Sequence, residues 1–228
     1  MFIYNRAMGA LIAIIGNCGS GKTTLARLLC RRLGYSQLLE QHTERPFQAA
    51  FMQDQDRRRQ ALANQVDYLL LRGVQERSIR QSAGVGVVDG GLDQDFYVFT
   101  RLFHTKRYLD EAEIDLCRRL YQMLRDLLAP PDLVLKLNAP LEALRLRRAQ
   151  RNRALDIVAD EDLPLIDGLL AVWLQTNPPA APLIEVDASS GDLFASVLPG
   201  LVDKIRLILN QQSKILGVCD AERNYPCQ

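Results

Sequence analysis

Short apolar runs alternate along this chain with longer stretches whose leucines recur every three or four positions. Leu11–Ile15 is an apolar run stopped by Gly16, which predicts a buried strand. Thr23–Leu33 then sets Leu25, Leu28, Leu29 and Leu33 at helical spacing, with Gly34 as a C-terminal stop. Ser36–Leu39 predicts a short second strand. Arg57–Arg72 contains no Gly or Pro and predicts a long helix. Val85–Val88 predicts the third strand. Glu111–Leu128 is an amphipathic helix with Ile114, Leu120, Tyr121, Leu124 and Leu127 on or near one face, ended by Ala129-Pro130-Pro131. Leu133–Leu137 is a fourth strand, Leu141–Gln150 a basic helix and Leu163–Leu174 a further helix. A turn with Pro178, Pro179 and Pro182 leads to a fifth strand, Leu183–Val186. Helical pattern returns over Leu193–Leu209, where Pro199-Gly200 predicts a break or kink. The pattern fades beyond about Ser213, so residues 213–228 are expected to be a frayed tail.

Five short strands alternating with helices predict an α/β fold: a five-stranded parallel sheet with helices on both faces. No internal repeat or low-complexity linker divides the chain, so one domain over residues 1–212 is expected. An apolar fraction of 48% suffices for a substantial core. The 28 basic and 27 acidic residues nearly cancel, to +1, which gives no general drive toward nucleic acid or an anionic membrane. Any charge argument is therefore local. The five cysteines, Cys18, Cys30, Cys117, Cys219 and Cys227, are odd in number and lack metal-ligand spacing. They read as free thiols in a reducing compartment, and a cytoplasmic protein is expected. No apolar run reaches about 18 residues, the length of a membrane span. Residues 1–10 do not have the layout of a signal peptide.

The most specific chemistry is in "GNCGSGKTT", which comprises Gly16, Asn17, Cys18, Gly19, Ser20, Gly21, Lys22, Thr23 and Thr24. It fits G-x-x-x-x-G-K-[ST], follows a strand and opens a helix, which is the context the pattern requires. Glycines let backbone N–H groups curl around an anion, and the positive end of the helix faces it. Lys22 reaches the β- and γ-phosphates and the Thr23 hydroxyl ligates Mg²⁺. The motif predicts a nucleotide-phosphate site without separating a kinase from a GTPase, a motor or a chaperone. A second feature narrows the choice. "RRAQRNRALD" places Arg147, Arg151, Arg153 and Asp156 on a helix and its end after the fourth strand. A charge run is usually a solvated face. Beside a phosphate loop it reads as a mobile lid, about residues 147–157, that closes over a transferring phosphoryl group.

From about Leu11 to Ser189 the chain resembles the deoxynucleoside kinase family, whose members phosphorylate the 5′-hydroxyl of deoxynucleosides. The phosphate loop is similar to that of bacterial members. "EQHTERPFQAAF" resembles the segment that carries the general base, which falls on Glu40. "QVDYLLLR" resembles the helix whose glutamine pairs with the nucleobase, which falls on Gln65. "RRAQRNRALD" resembles the family's R-x-x-x-R-G-R-x-x-E lid, with Asn152 for the glycine and Asp156 for the glutamate. "VVDGGLDQDFYVF" resembles the third strand and its loop, V-x-[DE]-R-S-I-x-x-D, so Asp89 falls on the carboxylate near Mg²⁺ and the phosphates. The resemblance implies ATP and Mg²⁺ as cofactors, a small nucleoside acceptor rather than a nucleic acid polymer, and a homodimer through the helices at 57–72 and 111–128. The chemistry is coherent, since a 5′-hydroxyl is a poor nucleophile until a carboxylate takes its proton. Gln65 offers both a donor and an acceptor to a base edge.

The acceptor side departs from the pattern at three positions. Gly90-Gly91 stand where the family has Arg-Ser. Met52 stands where a tyrosine usually reads the 3′-hydroxyl. Asp156 is one methylene shorter than the glutamate expected to share that task. The Arg-Ser pair inside "QERSIR" (75–80) precedes the third strand and is a coincidence; His42 and His104 are the candidate stand-ins. Three readings follow: a nucleoside kinase, a kinase with a shifted acceptor such as a nucleoside monophosphate, or a nucleotide-binding homologue with weakened transfer.

Overall fold

β1 (Ala10–Gly16) is buried on both faces, and this explains its unbroken apolar run. Leu11 and Ala13 pack with Ile79 and Val88 on one side, where Ile15 also faces, while Ile12 and Ile14 pack with Leu25, Leu29 and Ile205 on the other. The computed structural model describes residues 9–38, 45–54, 56–151, 157–190 and 194–221, the last ten of these as backbone. Five parallel strands lie in the order β2 (Ser36–Leu38), β3 (Val85–Asp89), β1, β4 (Leu133–Asn138) and β5 (Leu183–Asp187). The register sets Asp89 beside Ile14 and Leu137 beside Gly16. The carboxyl ends of β3, β1 and β4 thus form one edge, where such sheets bind ligands.

α1 (Lys22–Leu33) follows the glycine loop, and Gly34, at φ 70°, ends it as the sequence predicts. α6 (Glu111–Leu127) starts at a reciprocal cap in which Glu113 N donates to Asp110 and Asp110 N donates to Glu113, both at 2.9 Å. α7 (Leu141–Arg151) and α8 (Leu163–Thr176) lie close to their expected bounds.

Three differences have physical causes. α3 (Arg58–Gln81) continues past Arg72, where the expected helix stopped. Gly73 does not end it, because Leu124 of α6 lies 2.9 Å from where a Gly73 Cβ would be. Tertiary contact here outweighs the propensity cost of about 1 kcal/mol. Arg77 and Ser78 of the "QERSIR" stretch are exposed on this helix, and Arg80 pairs with Asp132. α9 (Leu198–Ala221) begins five residues later than the pattern suggests, with Pro199 in its first turn, where a missing N–H costs nothing. It continues beyond Ser213. Two helical segments were not anticipated. α2 (Pro46–Gln53) starts on Pro46. Leu92–Thr105 is helical in three pieces: α4 (Leu92–Gln94), a π-helical turn (Asp95–Thr100) and α5 (Arg101–Thr105). Its aromatic side chains pack in a stacked cluster that joins Phe96, Tyr97, Tyr121 and Trp173.

Candidate functional site

Gly16 ends β1 and Gly21, at φ 100°, caps α1, so the loop between them bends on backbone that side chains disfavour. Lys22 Nζ donates to the carbonyls of Gly16 and Asn17 at 2.9 and 3.0 Å. This curls the lysine over the loop it serves. Asn17 is almost fully buried. Its Oδ1 accepts from Cys18 N at 2.7 Å, and its Nδ2 donates to Leu163 O at 2.8 Å and to Asp167 Oδ1 at 2.7 Å. The loop is thereby fastened to α8. The Ser20 hydroxyl is buried and has no protein partner.

The strand-end carboxylate lies where the sequence predicts. Asp89 accepts a short hydrogen bond from the Thr23 hydroxyl, so the first turn of α1 and the end of β3 meet. Beyond it, the bare Gly90-Gly91 turn leads into α4, and Gln94 returns to the phosphate loop. Gln94 Oε1 accepts from Gly16 N at 3.0 Å, and Gln94 Nε2 donates to Gly16 O at 2.9 Å. Nothing in the sequence reading singled out Gln94. A glutamine five residues after a strand-end carboxylate is a weak signal without the fold.

A buried polar network backs this turn. Arg72 of α3 donates from Nε to Asp95 Oδ2 at 2.6 Å and from Nη1 to Gln75 Oε1 at 3.2 Å, with Arg72 and Asp95 almost wholly buried. Glu76 accepts from Leu92 N at 3.0 Å and from Arg125 at 2.6 Å, while burial pushes its carboxyl above the ordinary range. Gln65, the predicted base reader, is buried. Its Nε2 donates to Asp95 O at 3.1 Å and to Thr100 Oγ1 at 2.8 Å, the two ends of the π-helical turn. Its amide nitrogen thus ties together the two ends of that turn, where Thr100 Oγ1 also donates to Asp95 O at 3.0 Å.

One cavity gathers Cys18, Lys22, Thr23, Asp89, Arg72 and Arg148 at its walls, with Arg151 at the lid end. Arg151 is therefore brought to the loop as expected. Arg147 is not: its Nη2 donates to Ser190 O at 2.9 Å, beyond β5. Arg148, which was not singled out, takes that side, held by Asp160 at 2.8 Å and by the Val158 carbonyl. Met52 packs against the aromatic core of Phe51 and Phe103. His104 pairs with Glu111 at 2.9 Å, on the α5–α6 corner. Glu40, His42, Asn152, Arg153 and Asp156 lie outside the described residues.

Among the described residues no group of three or more His, Cys, Asp or Glu side chains is arranged to hold a metal. The Thr23–Asp89 pair, hydroxyl against carboxylate, is nevertheless an oxygen donor set of the sort Mg²⁺ takes together with phosphate oxygens and water. No described helix is long and apolar enough to cross a membrane.

A sequence model of the deoxynucleoside kinase family matches residues 12–206. A deoxyadenosine/deoxycytidine kinase of Bacillus subtilis (strain 168) is 25% identical over 150 residues, 65% of this chain and 68% of that protein. A deoxyadenosine kinase of Dictyostelium discoideum is 29% identical over 186 residues, 79% of this chain and 73% of that protein. Among solved structures, the deoxyadenosine kinase of M. mycoides with dCMP and a flexible dCDP bound aligns with a TM-score of 0.71 at 20% identity, over 88% of this chain and 99% of that one. The same enzyme with dATP bound gives 0.69 at 21% identity, over 87% and 98%. These structural likenesses bear on the fold.

Proposed function

Because the chain belongs to the deoxynucleoside kinase family and is a phosphotransferase acting on nucleosides, we propose that it moves the γ-phosphoryl group of Mg-ATP to the 5′-hydroxyl of a deoxynucleoside, with deoxyadenosine as the first candidate. Both curated relatives are named for deoxyadenosine. The observation that carries the reading is the meeting of Lys22, Thr23 and Asp89 at one cavity, at the ends of β1 and β3.

The 5′-oxygen forms the new bond to phosphorus as the bond to the β,γ-bridging oxygen breaks. The hydroxyl proton goes to the Glu40 carboxylate. ADP and a nucleoside 5′-monophosphate leave. Lys22 and the backbone N–H groups of Gly19 to Thr23 hold the donor phosphates, an arrangement worth most where water is excluded. Thr23 and Asp89 would hold Mg²⁺, which neutralises phosphate charge when bound. Arg151 and Arg153 would neutralise charge on the transferring group, Gln65 and Asp156 would serve the acceptor, and Met52 has no hydroxyl to offer it.

The protein acts as a cytoplasmic homodimer in this reading. Leu70, Val74, Met123 and Leu127 are 45%, 65%, 50% and 73% exposed along α3 and α6. Leu70, Val74 and Leu127 border an apolar groove of about 590 Å³, an expanse that monomers seldom leave open.

The test is phosphoryl transfer from γ-labelled ATP to a panel of deoxynucleosides, ribonucleosides and monophosphates, with Glu40→Gln alongside. Transfer to deoxyadenosine that falls by about 10²-fold or more in Glu40→Gln is expected. No transfer to any nucleoside by the wild type, with ATP still bound, would sink the reading.

A further inference from the structure

Asn17 is the hub of the phosphate loop. Its backbone carbonyl accepts from Ser20 N at 3.2 Å and from Lys22 Nζ at 3.0 Å, and its side-chain Oδ1 accepts from Cys18 N at 2.7 Å. The loop backbone and the Lys22 ammonium thus take their places from one residue. The carboxamide serves this purpose only with its oxygen turned toward Cys18. An amide carries an acceptor on one side and two donor hydrogens on the other, so turning it over would set NH2 against the Cys18 N–H.

α8 decides between the two orientations. Asn17 Nδ2 donates to Leu163 O at 2.8 Å and to Asp167 Oδ1 at 2.7 Å. Leu163 and Asp167 are one helical turn apart, so a carbonyl and a carboxylate flank the NH2 group and take both of its hydrogens. An ionised carboxylate has acceptors and no donor, and its hydrogen bonds are of the stronger, charge-assisted kind. The reversed amide would face oxygen to oxygen at both places. Asn17 is 3% exposed, whereas Asp167 is on the exposed side of α8. Asp167 does not reach the phosphate cavity itself. It lies on the wall of a separate cavity of about 440 Å³, with Lys136 and with Asp187 at the end of β5.

We propose that Asp167 is a positioning residue for the donor phosphates: through Asn17 it holds the phosphate loop and Lys22 in the arrangement that receives them. This inference rests on the phosphate-loop part of the kinase reading above, and the binding of a bare phosphate chain tests it without turnover.

The experiment compares full-length wild type, Asp167→Ala, Asp167→Asn, Asn17→Ala and the Asn17→Ala/Asp167→Ala double variant. The readings are binding of inorganic triphosphate with Mg²⁺, KM for ATP and for the nucleoside, and thermal melting. Asp167→Ala should weaken triphosphate binding and raise KM for ATP by about 3- to 10-fold, the size of one net hydrogen bond. KM for the nucleoside should not change, and melting should stay near wild type, since the position is exposed. Asp167→Asn keeps an acceptor oxygen and should lose less. In the Asn17→Ala background Asp167→Ala should add nothing, because its route to the loop is gone. Three results would each overturn the proposal: triphosphate bound by Asp167→Ala as by wild type, equal losses for triphosphate and nucleoside, or additive losses in the double variant. If Asp167→Ala does not fold, Asp167→Leu, of similar shape and without an acceptor, is judged by the same criteria. A wild type that phosphorylates no nucleoside overturns the kinase reading, and the triphosphate titrations then still decide this one.

Discussion

Gln94 grips Gly16 by both of its backbone groups, accepting from the N–H at 3.0 Å and donating to the carbonyl at 2.9 Å. The two glycine-rich stretches of the chain, far apart in sequence, are joined at that pair. Gln94 is fully buried, so no water replaces it. Gln94→Ala leaves the N–H of Gly16 unmatched, at a cost of about 1–3 kcal/mol, while the carbonyl keeps Lys22 Nζ as its donor. A fall in Tm of several degrees is expected, at ~2–4 °C per kcal/mol in a chain of this size. ATP affinity should fall with it, because the first glycine of the phosphate loop loses its anchor. Calorimetry and ATP titration read both. A variant that melts and binds like wild type would show that Gly16 is held by the loop alone.

The hydroxyl of Thr23 bonded to the carboxylate of Asp89 makes a second prediction. Asp89→Asn keeps the shape and removes the charge. If the pair holds a divalent cation, the variant needs a higher Mg²⁺ concentration for half-maximal rate at fixed ATP. Binding of metal-free ATP should hold or tighten, since a negative charge beside the phosphates is gone. Superimposable Mg²⁺ curves for the two proteins would assign Asp89 a purely structural role.

The strands and the phosphate loop were legible because their signals are local. Leu11–Ile15 is a run that only a strand covered on both faces can bury, and GNCGSGKTT fixes its own turn. What escaped depends on partners distant in the chain. Gly73 reads as a helix stop until Leu124 is seen against it. Phe96 and Tyr97 suggest a strand by propensity, but a stack with Tyr121 and Trp173 holds them in a helix with a π-helical turn. The arginine spacing picked out Arg147 and Arg151, whereas the helix turns Arg148 inward and sends Arg147 toward Ser190. Gly90 stands in sequence only as a missing side chain, and nothing local tells that Arg72 Nη2 lies 3.3 Å from where its Cβ would be.

The apolar strip on α3 and α6 predicts an assembly that a single charge can break. Val74 is 65% exposed, on the wall of the α3–α6 groove. Val74→Glu should leave the melting of an isolated protomer within about 0.5 kcal/mol of wild type. In a homodimer it places like charges across a two-fold interface and halves the mass seen by sedimentation. A wild type that sediments as a monomer at micromolar concentration would leave the strip without the partner assigned to it.

The cysteines give a prediction in pH. Burial pushes the thiols of Cys30 and Cys117 from 9.0 up to about 11, and for Cys117 the Glu113 carboxylate adds to it. Alkylation acts on the thiolate, so at pH 7.5 both should react slowly with iodoacetamide. Cys18, on the wall of the phosphate cavity, should be labelled ahead of them, and ATP should protect it. The same shifts act on stability. A folded-state value raised above the unfolded one contributes stability that is complete below pH 9.0 and is lost as pH rises through about 11. Wild type should therefore lose stability faster than Cys117→Ala between those limits, even though the alanine variant starts lower because it leaves a small cavity. Denaturation midpoints measured from pH 8 to 11 give the two slopes. Parallel slopes would mean that Cys117 ionises as easily in the folded chain as in the unfolded one, and that its burial in the core is looser than the packing indicates.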